Sequence, residues 1–130
     1  MFRRARTCDD PIVRAALKSL VLLPEPNTLS ADPRAFAFQA EMGCGPSDGA
    51  GEETFSVTVC TGEWLAAVCA EQGGFLDPRH HLVVDHDLFD VGKLRHWLEA
   101  RVSAAQGETW AEIAKELAKT AYWEFDDYRV

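Results

Sequence analysis

The sequence predicts an α+β domain of two layers, an antiparallel β-sheet of about four strands with helices packed on one face. Three observations carry that expectation. Phe36, Phe38, Ala40 and Met42 share one face of an alternating segment while Gln39 and Glu41 fall on the other, and Phe55, Val57 and Val59 alternate with Thr54, Ser56 and Thr58. A period of two is that of a half-buried strand. From residue 88 the period lengthens to three or four, and no linker rich in Pro, Gly or Ser splits the chain.

Taken in order, residues 17–22 form a short apolar run stopped by Pro24 and Pro26, which predicts a first strand. Asp32-Pro33-Arg34 supplies a turn, with Pro fixing φ at its second position, and residues 35–42 form the second strand. Residues 43–53, rich in Gly and acid, read as a solvated loop that closes an antiparallel hairpin with the strand around Val57. Residues 64–70 predict a short helix ended by Gly73 and Gly74. A second Asp-Pro-Arg, at 77–79, introduces a fourth strand over residues 80–85. Leu88, Val91, Leu94, Leu98, Val102 and Ala105 then mark a helix for which Asp87 is the expected N-cap. Gly107 breaks it, and Thr109 with Glu112 forms a capping box for a last helix with Trp110, Ile113, Ala114, Leu117 and Ala121 on its inner stripe.

Composition bounds the function. The 130 residues carry 13 Lys and Arg against 21 Asp and Glu, a formal charge of −8. Phosphate contacts need Lys or Arg, so such a chain is a poor nucleic-acid binder. The charge is also uneven: residues 1–18 hold +3, which leaves −11 for residues 19–130. Residues 1–13 are therefore expected to be a basic, poorly ordered extension, and residues 14–130 a single domain. Thr7, Cys8, Asp9, Asp10 and Pro11 stand where a secretory signal would need an apolar run, and no stretch has the length of a membrane span, which points to the cytoplasm. Cys8, Cys44, Cys60 and Cys69 have no CxxC spacing and read as reduced thiols.

Several groupings look chemical. Gly45-Pro46-Ser47-Asp48-Gly49 fits G-x-S-x-G, with His80 or His81 as conceivable partners, but a nucleophile elbow needs a strand-to-helix turn, and this serine lies between two strands. The same loop lacks the Lys and hydroxyl of a phosphate cradle. Among His80, His81, Asp85, His86 and Asp87, a strand would hold most pairs too far apart to share an ion, and only Asp85, His86 and Asp87 would converge. A helix cap is the simpler reading of that trio, so neither a metal nor a catalytic site is expected. Trp123, Glu124, Phe125, Asp126, Asp127 and Tyr128 mix aromatics with carboxylates. That is a solvated tail or a binding face for a basic protein.

The ordered set of segments resembles the immunity protein 8 family of bacterial polymorphic toxin systems. The matching pieces are Leu17-Lys18-Ser19; Asp32-Pro33 ahead of Phe36 and Phe38; residues 55–61 (FSVTVCT) with Glu63-Trp64-Leu65; residues 81–84 (HLVV); residues 107–114 (GETWAEIA); and residues 123–128 (WEFDDY). Gly62 departs from the pattern, standing where Pro is expected before the tryptophan. The resemblance implies a non-catalytic protein without cofactors that binds and neutralises a cognate toxin, and it does not identify the toxin. Nuclease toxins have basic clefts, and an acidic body suits them. The toxin-binding residues expected on that basis are Glu124, Asp126 and Asp127, with Trp123 and Tyr128 as anchors and Glu52 and Glu53 as a second patch. A binding or regulatory module without a toxin partner is the alternative, and the homo-oligomeric state is open.

Overall fold

A computed structural model describes residues 13–25 and 32–123. Six strands and three helices follow the order β1 (Val13–Leu23), β2 (Ala37–Pro46), β3 (Glu53–Thr61), α1 (Gly62–Glu71), β4 (His81–Val84), α2 (Val91–Ser103), β5 (Gln106–Gly107), α3 (Trp110–Leu117) and β6 (Tyr122–Trp123). The strands form one sheet in the order β4-β3-β2-β1-β5, with β6 also paired to β3. The expected α+β class holds, with two corrections of detail. There are more strands than four, and the sheet is mixed: β4 lies parallel to β3, Val59 opposite Leu82 and Thr61 opposite Val84. A parallel neighbour needs a crossover, and α1 supplies it.

The β2–β3 hairpin has the register that the two alternating patterns demand. Phe38 faces Val59, Ala40 faces Val57 and Met42 faces Phe55, so the apolar sets of both strands meet on one face. β1 joins this face by an unusual route. Leu22 lies opposite Ala40 and Leu20 opposite Met42, but the register shifts between Leu17 and Ser19, after which Leu17 lies opposite Cys44 and Ala15 opposite Pro46. The bulge at Lys18 switches the inward positions from even to odd numbers, keeping all of them on the core side. On that side Leu94, Leu98 and Val102 of α2 and Ile113, Ala114 and Leu117 of α3 close the core.

Helix ends are set by local chemistry. Thr61, fully buried, accepts from the Trp64 amide at 3.2 Å as the N-cap of α1, and it also accepts from the Phe36 amide. Gly73 and Gly74 end this helix as expected: Gly73 takes φ of 82°, its amide bonds to Ala70 and that of Gly74 to Cys69, a Schellman arrangement. Thr109 caps α3 through the Glu112 amide. The N-cap of α2 is Asp90, whose carboxylate accepts from the Lys93 amide at 3.0 Å, and not Asp87. The Asp87 amide is bound instead by Asp85 at 2.8 Å in a turn that precedes the helix. Leu88, in that turn, is 67% exposed, so its place in the helical period is a coincidence of spacing. Similarly α3 stops at Leu117, and Ala121 is buried from the chain beyond it.

One polar group joins three elements. Glu53, the first residue of β3, accepts from the indole nitrogens of both Trp110, at 2.8 Å, and Trp123. Trp110 opens α3 and Trp123 ends β6, where its ring stacks on Phe55 with centroids 6.0 Å apart. A buried indole needs an acceptor and a half-buried carboxylate needs donors, so each group makes the burial of the others tolerable.

Three outcomes follow for stability, each readable by urea denaturation. Glu53→Ala leaves two indole donors unsatisfied and should cost about 3 kcal/mol, while Glu53→Gln, retaining one acceptor oxygen, should recover part of this. Asp90→Ala should cost about 1 kcal/mol and Asp87→Ala no more than about 0.5 kcal/mol, the order that a cap at 90 requires. Gly62 holds the first helical position of α1, Thr61 before it is already extended, and an added Cβ would meet nothing within 4 Å. Gly62→Ala should therefore stabilise the protein by about 0.5–1 kcal/mol.

Candidate partner-binding surface

The loop after β2 is more ordered than its composition implies. β2 runs on to Pro46, burying Gly43, Cys44 and Gly45, and the loop folds back against the sheet. The Lys18 ammonium, projected by the bulge, donates to the carbonyls of Gly49 and Gly51, and the Ser47 amide bonds to the Arg14 carbonyl at 2.8 Å. Ser19 donates to the Glu52 carboxylate at 2.6 Å. Gly43 makes this possible, since a Cβ there would collide with both Glu52 and Ser19.

Glu52 and Glu53, adjacent in sequence, thus have separate roles. Glu52 stays exposed on the loop, where it can meet a partner. Glu53 is committed to the two indoles, and Trp123 is only 8% exposed, packed on Phe55. The structure therefore gives Trp123 a place in the core and not that of a free aromatic anchor, because the sheet edge at Phe55 needs covering. Glu124, Asp126, Asp127 and Tyr128 lie outside the described residues.

A second acidic grouping was only half legible. Asp85, His86 and Asp87 bring their side-chain ligand atoms within 4.8 Å of one another, as the sequence allowed. Glu63, from the first turn of α1, joins them across the crossover. His86 has Nδ1 at 3.3 Å from Glu63 and Nε2 at 3.3 Å from Asp87, so both ring nitrogens face carboxylates. The sequence signal that could have found Glu63 is the parallel β3–β4 pairing, which sets the start of α1 beside the end of β4.

The candidate nucleophiles are poorly placed. Ser47 lines a shallow depression with His96 and Glu99, whereas His80 and His81 line a different cavity. Among the described residues no hydrogen bond joins Ser47 to a histidine. Burial, and then the nearby Glu52 charge, push the Cys44 thiol up to about 12, and burial raises that of Cys60. In both, burial disfavours the thiolate that nucleophilic chemistry requires. Among the described residues, no helix is long and apolar enough to cross a membrane.

Comparison with known proteins agrees with the pattern of motifs. The family model for immunity protein 8 matches residues 17–128. No curated protein and no solved structure was found to match. With the match spanning most of the chain, including the hairpin, the Thr61 cap and both tryptophans of the Glu53 clamp, this chain belongs to the immunity protein 8 family.

Proposed function

We propose that this protein acts in the cytoplasm as the immunity partner of a polymorphic toxin, neutralising it by direct non-catalytic binding and so protecting the producing cell and its kin. The observation that carries this reading is the family match over residues 17–128. The partner presents a basic surface, as the cleft of a nuclease does, and meets a body that carries −11 after residue 18. Glu52 on the hairpin loop, the Glu63, Asp85 and Asp87 group beside α1, and Glu124, Asp126 and Asp127 with Tyr128 are the acidic and aromatic groups that it uses. Opposite charge of this kind acts first on the rate of encounter.

The test is to look for a toxin gene next to this one and to co-express the toxin domain it encodes with this protein. Growth should be rescued and a stable complex recovered; rescue with no physical complex would count against neutralisation by binding. With the purified pair, association should slow by about tenfold between low and high salt, because the steering field is screened within about 10 Å at 0.1 M salt. Association indifferent to salt would remove the acidic surface from the account while leaving the immunity role standing.

A further inference from the structure

A cavity of about 520 Å³ opens on the core side of the sheet, between α2, the end of α3 and the segment that leads into β4. Its floor is apolar and deep, made by Met42, Phe55 and Val57 of the sheet with Leu98, Val102 and Leu117 of the helices. All six are buried residues of the core, so the cavity penetrates the fold and is not a surface dimple. Its size falls within the roughly 300–1,000 Å³ of small-molecule sites.

The mouth is basic, against the trend of the whole chain. Eight Lys and Arg residues follow residue 18, and three of them, Arg79, Arg101 and Lys119, line this one cavity. Asp77 is the lone acid among the lining residues. Arg79 meets Asp77 at 3.2 Å and Lys119 meets Glu116 at 3.1 Å, pairs whose side chains are more than half exposed, so an incoming anion can compete for either cation. Arg101 has no carboxylate partner among the described residues. Its guanidinium is held 5.4 Å over the ring of Trp97, which is itself 46% exposed at the rim. Stacking fixes the plane of the guanidinium and leaves its N–H groups available to a planar anion.

We infer that this cavity binds a small organic anion with an apolar body, an acyl or aryl carboxylate, whose chain or ring fills the floor and whose carboxylate meets Arg101 with Arg79 and Lys119. Charge complementarity selects the class: a neutral apolar ligand would leave the basic rim unused, and an inorganic anion would leave the floor empty. The inference is independent of the toxin-neutralising role.

Octanoate and octanol, titrated separately into the full-length protein by calorimetry and followed by tryptophan fluorescence, test it. Octanoate should bind one-to-one and at least tenfold more tightly than octanol. Arg101→Gln should weaken octanoate at least fivefold while leaving octanol unchanged, and Thr120→Trp, which places a large side chain in the lining, should abolish both. Circular dichroism establishes that each variant is folded. Should Arg101→Gln not fold, Lys119→Gln, at an exposed position, gives the same comparison. No binding of octanoate to the folded wild-type protein, equal binding of the alcohol, or octanoate binding that survives Thr120→Trp would overturn the inference. If octanoate fails to bind and the folded Thr120→Trp variant loses its complex with the toxin, the cavity seats a side chain of the partner and the small-anion assignment is wrong.

Discussion

The convergence of two indole N–H groups on the Glu53 carboxylate is the interaction on which the remaining architecture depends. Trp110 and Trp123 are 57 and 70 residues from Glu53 in sequence, so one side chain joins the start of β3 to the start of α3 and to β6. Without Glu53, the two rings would close the core at the cost of stranded donors; without the rings, a half-buried carboxylate would lack partners. The stacking of Trp123 on Phe55 then seals the part of the β3 edge that β4 leaves uncovered, since β4 pairs from Thr58 onward and β6 pairs at Phe55 and Ser56.

What was legible in the sequence follows from how local each cause is. The pairing of the hairpin was readable because both strands keep strict alternation from Phe38 to Met42 and from Phe55 to Val59, but its length was not, since β2 runs on to Pro46 through residues read as loop. The C-terminal end of α1 and the start of α3 were readable because Gly73, Gly74 and Thr109 act on the nearest amides. β1 was read short, because the bulge at Lys18 inverts the period and hides Val13 and Ala15 from any scan for alternation. The direction of β4 and the two-residue strands β5 and β6 are set by tertiary contacts, and nothing in so few residues announces them. The α2 cap was missed because the chain offers two aspartates three residues apart, and only the turn made by Asp85 decides between them.

The candidate site was less legible than the fold for a related reason. Adjacent acids look alike in sequence, yet Glu52 lies on an exposed loop and Glu53 faces the core, because β3 begins between them and alternation separates the two side chains. The aromatic residue expected to anchor a partner, Trp123, is drawn inward by the same alternation. The charged group beside α1 assembles from Glu63 and from Asp85 and Asp87, which only the parallel crossover brings together.

The residues that make the family recognisable are mostly those that hold the fold. Thr61 of the VCTxEWL segment is the buried cap of α1, and the departure at Gly62 falls on the first helical position, where proline is favoured because its missing N–H has no intrahelical role. Trp110 of GETWxEIA and Trp123 of WEFxDY are the two arms of the Glu53 clamp. Thr61, Trp110 and Trp123 therefore fix the scaffold, while Glu52, Glu63, Asp85 and Asp87 lie exposed on its surface.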